Sequence, residues 1–390
     1  MARGARIVMR DSSPRTARWA HDNPAAAGCI VVRRLPGAQA PGVQPTGPMA
    51  TQTVLPAVSR CATLSFMRYC TAPLIVLLMT GVTAAADGPA WDARLFDYRR
   101  PAHLEVEEST PADAHVQFLL RPPRIDPKTP LRPGGPATRR AVGDVDVVRL
   151  CFRNAEGSVV PALLCTPAKA KGPFPLVIAV HGFMSNKTQV CYQVAPAFSR
   201  RGYAVLAADM PCHGERPGNP QDFVDMADLV RSYVNFRDAV VTIRQLIDLA
   251  EERPDIDHKA GVVLLGYSMG SWISSVTGAA DKRVSALVLM VGGTPAFAAE
   301  AVRQPRGAAL DPRLAMAAFA GRPVLMLNGR NDRLVPPDWA ERLFAACREP
   351  RRQIWYDSGH FLPARAFEDA ADWAVSQTAP LRSATRPAGR

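Results

Sequence analysis

Long hydrophobic runs are scarce in this 390-residue chain, and their scarcity excludes whole classes of protein. The longest apolar run covers about ten residues, whereas a membrane-spanning helix needs about 20. The overall composition, 47% hydrophobic and 21% charged, lies in the globular range. A polytopic membrane protein and a wholly disordered chain are therefore excluded.

Clustered positive charge is also missing, although the formal net charge is +12. Residues 1–86 hold nine arginines, no lysine and two aspartates, so they carry more than half of the excess charge. Residues 87–390 contain no run of five or six like charges. Because a nucleic-acid footprint needs clustered Lys and Arg, we expect no nucleic-acid partner.

No Cys-x-x-Cys pair occurs, which excludes zinc ribbons and thioredoxin-type redox chemistry. Five of the eight cysteines follow residue 86, an odd number that leaves at least one thiol unpaired. Cys191 and Cys212 each follow one of two consecutive predicted strands, so one hypothesis is a disulfide between their loops. The alternative hypothesis is that all five are small buried hydrophobic residues.

The beginning of the chain differs from the rest. Residues 1–66 are rich in Arg, Ala, Pro and Gly and lack helical or strand periodicity. Met67 then opens a basic start, an apolar core and an A-x-A exit, the three parts of a signal peptide. We interpret 1–66 as a disordered extension or mistranslated upstream sequence, and 67–86 as the signal peptide of a periplasmic or secreted protein. The alternative is an uncleaved membrane anchor at 69–86.

Strand and helix signals alternate from residue 144 onward. Residues 144–152 and 158–166 flank a turn and predict an antiparallel hairpin. Further strands are predicted at 175–180, 203–208, 261–266, 284–291, 323–328 and 353–356. Helices are predicted at 190–201, 222–250, 271–279, 336–347 and 364–374. Strands separated by helices indicate an α/β fold with a doubly wound, mostly parallel sheet behind an antiparallel lead-in hairpin.

The same pattern divides the chain. Residues 87–143 form a lead-in segment with a Pro-rich insertion, and 144–380 form the catalytic domain. Within that domain, an Ala-rich stretch at about 293–321 predicts a small helical cap between two strands. In sheets of this kind functional loops lie at the carboxyl ends of the strands.

Three motifs that contain typical catalytic residues follow three different predicted strands. Gly266-Tyr267-Ser268-Met269-Gly270 has the G-x-S-x-G pattern of a nucleophile elbow, between a buried strand and a helix. A serine needs a base, and the base needs an orienting acid. Asp332 follows the strand at 323–328, and His360 follows the strand at 353–356. The sequence therefore predicts a Ser268, His360 and Asp332 catalytic triad.

Other residues compete for two of these roles. Asp357, three residues before His360, is the alternative acid, although we expect it to cap its own turn. His181 and His213 are the alternative bases, and we expect both to make structural hydrogen bonds. Asp209, close to His213, is also expected to be structural.

Acyl transfer also needs donors for the oxygen that becomes anionic. One predicted oxyanion-hole donor is the backbone N–H of Met269, the residue after the nucleophile. The other is the backbone N–H of Phe183, in the loop after the strand at 175–180. The Phe183 side chain is predicted either to line an acyl pocket or to pack as an ordinary core residue.

Several segments carry a family resemblance: HGFMSNK at 181–187, RRGYAVLAADMPCHGER at 200–216, GYSMG at 266–270, NGRNDRLVPP at 328–337 and SGH at 358–360. Over residues 144–375 the chain resembles the α/β-hydrolase family, and more narrowly its dienelactone-hydrolase-like and acetyl-esterase-like members. The resemblance implies the same catalytic triad and neither a cofactor nor a metal. LFDYRRPAHLEVEE at 95–108 resembles the lead-in of secreted members. The nucleophile is Ser where dienelactone hydrolases carry Cys, which argues against dienelactones as substrates.

These observations predict a secreted serine hydrolase that cleaves small-molecule carboxylic esters with small to medium acyl groups. The alternative is a serine peptidase of the aminopeptidase type, which needs a carboxylate to hold a free amino terminus. Only Glu300 and Asp311 supply one in the predicted cap. A third reading is a non-catalytic binding module, although such modules usually lose a member of the triad.

Overall fold

The structure is a computed structural model that describes residues 91–112, 124–128, 130–133, 138–225, 227–294, 305–319 and 321–385. The predicted signal peptide, the extension before it and residues 295–304 of the predicted cap lie outside these ranges. Within them, no helix combines the length and the apolar character that a membrane span requires.

The strands of the described residues join one ten-stranded sheet. They are β1 (Val106–Ser109), β2 (Arg140–Val142), β3 (Val145–Arg153), β4 (Val159–Pro167), β5 (Leu176–Val180), β6 (Ala204–Ala208), β7 (Val262–Tyr267), β8 (Val284–Met290), β9 (Val324–Gly329) and β10 (Arg351–Tyr356). Their order is β1-β3-β4-β6-β5-β7-β8-β9-β10, and β2 pairs with β3. From β6 to β10 neighbouring strands are parallel, whereas the pairs involving β3 or β4 are antiparallel. The predicted mostly parallel sheet and its lead-in hairpin are confirmed.

Helices cover both faces of this sheet. They are α1 (Lys187–Ser199), α2 (Leu229–Glu252), α3 (Met269–Ala280), α4 (Pro305–Leu310), α5 (Pro312–Ala318), α6 (Pro337–Ala346) and α7 (Ala364–Thr385). Helices α2, α3, α5 and α6 pack on one face, and α1 and α7 pack on the other. Strand β5 contributes Leu176 and Ile178 to the first face and Val177 to the second. Because side chains alternate along a strand, burial on both faces requires the continuous apolar run seen in the sequence.

Two helices begin elsewhere than predicted because capping side chains set their first turns. Helix α1 begins at Lys187, where the Asn186 side chain accepts a hydrogen bond from the Gln189 amide. Helix α2 begins at Leu229, several residues later than predicted, because Asp228 caps it through the Arg231 amide. In both cases the capping Asn or Asp overrides the apolar periodicity that suggested the boundary.

The lead-in segment is part of the same core. Strands β1 and β2 both pair with β3, and Phe96 and Leu104 are buried among the core residues. Further along, Arg124 Nη1 donates hydrogen bonds to the carbonyl oxygens of Gly214 and Arg216, at 2.7 and 2.5 Å. The described part of the Pro-rich insertion therefore holds the loop that follows β6.

The described part of the predicted cap also enters the core. Buried residues of α4 and α5, among them Ala309 and Met316, pack on the face that carries α3. The indole Nε1 of Trp272 donates to the carbonyl oxygen of Leu310 at 2.5 Å. Helix α5 starts at a cap formed by Asp311. These contacts fix both short helices against α3.

All five cysteines within the described residues are buried free thiols. The hypothesis of a disulfide between Cys191 and Cys212 is wrong, because the two residues pack on opposite faces of the sheet. Cys191 instead lies near Cys165 of β4, in the same buried cluster on the other face. The interpretation as small buried hydrophobic residues is confirmed.

Candidate active site

The turn between β7 and α3 holds Ser268 in a rare backbone conformation. Its φ is 54° and its ψ is −115°, a region that residues with a side chain seldom adopt. The Ser268 amide donates to the Met290 carbonyl oxygen at 2.8 Å, which ties the turn to β8. The strained turn lifts the hydroxyl above the carboxyl edge of the sheet, as the G-x-S-x-G motif predicts.

The two glycines of that motif are required by close packing. A Cβ atom on Gly266 would lie 2.2 Å from the carbonyl oxygen of Gly270. A Cβ atom on Gly270 would lie 2.1 Å from the carbonyl oxygen of Val180, at the end of β5. Since real Cβ atoms do not approach so closely, any larger residue at either position would push α3 away from the sheet.

Ser268, His360 and Asp332 form one hydrogen-bonded chain. Ser268 Oγ lies 3.0 Å from His360 Nε2, and His360 Nδ1 lies 2.8 Å from Asp332 Oδ2. Asp332 is buried, whereas Ser268 and His360 are half-buried. The three residues come from the loops after β7, β9 and β10, so the structure brings together the side chains that the sequence predicted.

The carboxylate of Asp332 is fixed by its own loop. Its Oδ1 accepts hydrogen bonds from the amides of Leu334 and Val335, both at 2.9 Å, which leaves Oδ2 for His360. The alternative acid, Asp357, is exposed and accepts a hydrogen bond from Asn331 Nδ2 at 2.8 Å. The carboxylate that meets the imidazole is therefore that of Asp332.

Tyr267 holds the His360 loop, a contact that no sequence motif indicates. Its hydroxyl donates to the His360 carbonyl oxygen at 2.7 Å and accepts from the Leu362 amide at 3.2 Å. Burial raises the pKa of Tyr267 to about 12, so the phenol keeps its proton near neutral pH. Its place beside Ser268 was visible in the sequence, but its partners lie more than 90 residues away.

The alternative bases, His181 and His213, bond to nearby backbone. His181 Nδ1 lies 2.8 Å from the Gly182 carbonyl oxygen, and its Nε2 accepts from the Met210 amide at 3.0 Å. His213 Nδ1 lies 2.8 Å from the Pro211 carbonyl oxygen. Burial lowers the pKa of both imidazoles, that of His213 to about 3. Both rings are thus neutral near pH 7.

The residues that carry the two predicted oxyanion donors lie in or next to segments that contact the nucleophile. A Cβ atom on Gly182 would lie 3.4 Å from the Ser268 Cβ, so the loop that carries Phe183 touches the elbow. Met269 is the first residue of α3, where backbone N–H groups lack helical partners and the helix dipole is positive. The half-buried ring of Phe183 meets His213 edge-on, with centroids 5.7 Å apart.

Close to the Phe183 loop lies a set of charges, the ionic cluster, formed by the buried Lys187, Asp209 and Glu215 and the half-buried Arg149. Lys187 Nζ lies 2.8 Å from Asp209 Oδ2 and 2.5 Å from Glu215 Oε1, and Arg149 Nη2 lies 2.8 Å from Glu215 Oε2. Burial disfavours the Lys187 ammonium, but the two carboxylates outweigh it and raise its pKa. The prediction that Asp209 is structural agrees with these contacts, whereas the role of Lys187 was missed.

No group of three metal-ligating side chains comes together among the described residues.

The family model of the alpha/beta hydrolase family matches residues 177–381, more than half of the chain. The match begins in β5 and ends in α7, so it includes Ser268, Asp332 and His360. The chain therefore belongs to the α/β-hydrolase family.

Curated relatives are distant. Polyketide transferase ATR5 of Stachybotrys chlorohalonatus is 28% identical over 177 residues, which cover 45% of this chain and 54% of that protein. An uncharacterized protein of Mycobacterium tuberculosis, Rv2307c, is 27% identical over 226 residues, 55% of this chain and 74% of that protein. The matched region thus spans about half the length of the polyketide transferase.

Solved structures share the fold. Acetyl xylan esterase 1 from Thermoanaerobacterium superposes with a TM-score of 0.54 at 17% identity, covering 76% of this chain and 95% of that one. An acetyl xylan esterase from Paenibacillus gives a TM-score of 0.50 at 14% identity, covering 62% and 86%. At such low identity the likeness extends to the fold alone.

Proposed function

We propose that this chain is a serine esterase that cleaves carboxylic esters of small to medium acyl groups through an acyl-enzyme. One observation carries the proposal: Asp332, His360 and Ser268 form a hydrogen-bonded chain that ends at the hydroxyl of a strained strand-to-helix turn. This arrangement matches what nucleophilic catalysis by serine requires, because the base contacts the nucleophile and the acid orients the base.

In the first half-reaction, Ser268 Oγ attacks the ester carbonyl carbon while His360 Nε2 takes its proton. The carbonyl electrons move to the oxygen, and the N–H groups of Phe183 and Met269 stabilise the oxyanion. When the carbonyl re-forms, the bond to the alcohol oxygen breaks. His360 Nε2–H then protonates the departing alcohol, which leaves Ser268 acylated.

In the second half-reaction, His360 Nε2 removes a proton from water, whose oxygen attacks the acyl carbon. When the carbonyl re-forms, the bond to Ser268 Oγ breaks, His360 returns the proton to Ser268 Oγ and the acid leaves. Asp332 accepts a hydrogen bond from His360 Nδ1 in both halves and stabilises the transient imidazolium. Its carboxylate stays in place because two backbone amides hold the other oxygen.

A second candidate is acyl transfer, favoured by the relatives named polyketide transferases. It uses the same acyl-enzyme but resolves it with an alcohol instead of water. A peptidase is less well supported, because Asp311 already caps α5 through the Arg313 amide at 2.8 Å. Glu300 lies outside the described residues.

We also propose that the protein is exported and cleaved near Asp87, from the signal-peptide pattern at 67–86. Amino-terminal sequencing of protein recovered from the periplasm or medium tests this proposal. Recovery in the membrane fraction with residues 69–86 still attached would support the anchor instead.

The catalytic proposal is tested with the full chain and its Ser268→Ala variant on p-nitrophenyl esters of acids from acetate to palmitate. We expect turnover of short esters, and a loss of about 10³-fold or more in the variant. Ser285→Ala is the matched control, because that hydroxyl lies near the start of β8 and donates to the Val262 carbonyl oxygen. Added alcohols that yield new esters would favour the transferase. No turnover of any ester, with or without an alcohol, would contradict both candidates.

A further inference from the structure

Phe361, the residue directly after His360, stands out on the surface. Its side chain is 80% exposed, more than that of any other large hydrophobic residue in the described part of the chain. Isolated exposed hydrophobic residues are common, but a large exposed aromatic ring next to the proposed base offers a contact surface for a ligand.

The exposed ring is held in place. The Tyr267 hydroxyl bonds to the carbonyl oxygen before Phe361 and to the amide after it, at 2.7 and 3.2 Å. Leu362 is buried, which anchors the chain on the far side. A ring with fixed backbone loses little conformational freedom when a ligand packs on it.

The direction of proton transfer determines which part of a substrate lies near this ring. His360 Nε2–H must protonate the leaving oxygen, so the alcohol part of an ester lies on the His360 side of the site. The centroids of the His360 and Phe361 rings are 6.1 Å apart, edge to face. The Phe361 ring therefore lies next to the imidazole that must meet the leaving oxygen.

The other functional loops carry exposed apolar residues as well. Leu334, two residues after Asp332, is 38% exposed, and Met184, next to Phe183, is 43% exposed. Each of these loops thus places one apolar side chain close to a residue of the site. An apolar or aromatic alcohol suits these exposed apolar side chains better than a charged alcohol does.

We propose that Phe361 is the binding surface for the alcohol part of the substrate, and that the preferred substrates are esters of aryl-bearing alcohols. This proposal rests on the proposed esterase activity. It goes beyond that activity because it assigns the leaving-group side of the site and the residue that contacts it.

The test compares the benzyl and ethyl esters of the acid that the full chain turns over fastest as its p-nitrophenyl ester. Both alcohols are similar in acidity, and both esters give the same acyl-enzyme, so the ratio of their kcat/KM values reports alcohol binding during acylation. We expect wild type to prefer the benzyl ester and Phe361→Ala to lower that preference about tenfold. Phe361→Tyr keeps the ring and should keep the wild-type preference for the benzyl ester.

Val234→Ala is the matched control, since Val234 is also exposed but lies on α2, outside the loops of the site. Its benzyl-to-ethyl ratio should equal that of wild type. An unchanged ratio in Phe361→Ala would overturn the proposal and leave the esterase intact. A benzyl preference seen only above the solubility limit of the ester would also overturn it, because the ring would then bind an oil–water interface. A wild type inactive on every ester would overturn both proposals.

Discussion

The hydrogen-bonded chain at the active site and the ionic cluster lie in neighbouring regions and are built in opposite ways. The first ends at a half-buried imidazole and hydroxyl, which a substrate can approach. In the second, Lys187 is 1% exposed and touches two carboxylates. A reactive group must keep one side open, whereas a buried charge must be fully compensated.

The two regions are nonetheless connected through the loop that carries Phe183. Lys187 is the first residue of α1, four positions after Phe183, and its backbone amide donates to Asp209 Oδ1 at 2.9 Å. Asp209 Oδ2 also accepts from the Glu215 amide at 2.8 Å. The ionic cluster thus fixes the start of α1, which follows the loop from which one proposed oxyanion donor comes.

The largest effect, on kcat, is expected from replacing the acid of the hydrogen-bonded chain at the active site. Asp332→Asn should lower kcat about 10³- to 10⁴-fold, because the amide neither stabilises the imidazolium nor fixes the tautomer of the neutral imidazole. Asp357→Asn is the matched control and should stay within about twofold. Steady-state kinetics on a short p-nitrophenyl ester measures both. A larger loss in the Asp357 variant would reverse the assignment of the acid.

A smaller effect, on stability, is expected from breaking the ionic cluster. Lys187→Met leaves two buried carboxylates without their shared ammonium and should lower the free energy of unfolding by about 3–5 kcal/mol. Lys169→Met is the control, because the Lys169 side chain is 87% exposed in its pair with Asp144 and should change stability by less than about 0.5 kcal/mol. Urea denaturation measures both variants, and equal midpoints would show that burial does not distinguish the two pairs.

The smallest effect is on the pH dependence of the free energy of unfolding, and it is expected from the buried imidazole of His213. Burial lowers its pKa to about 3, whereas an unfolded histidine titrates near about 6.5. Between these values the unfolded chain binds more protons, so the contribution of His213 is present above pH 6.5 and is lost as the pH falls. Between pH 6.5 and pH 5 this site should lower stability by about 2 kcal/mol.

His213→Phe keeps a ring against Phe183 and Phe223 but cannot titrate. Its free energy of unfolding should therefore fall less than that of wild type over the same pH range. The other titrating groups are shared by both proteins and cancel in the comparison. Parallel curves for the two proteins would mean that the pKa of His213 is the same in the folded and unfolded states.

Much of the fold was predictable because its signals are local. The apolar runs of β5 and β7, the hairpin turn before Ser158 and the glycines around Ser268 each lie within a few residues of the structure they specify. Helix starts were less predictable, because Asn186 and Asp228 compete with apolar periodicity over a few residues. Helix α7 was predicted to end at residue 374, but it runs on to Thr385 and continues past Pro380.

By itself, the sequence determined the order of strands and helices and the position of a Ser, an Asp and a His after three separate strands. Those features follow from periodicity and turn chemistry, which act between near neighbours. Only the tertiary structure decided which side chains meet: Asp332 and not Asp357 at the imidazole, Tyr267 beneath the His360 loop, and Cys191 beside Cys165 and not Cys212. These contacts join residues far apart in the chain, and they depend on strand order and on the face of the sheet to which each side chain points.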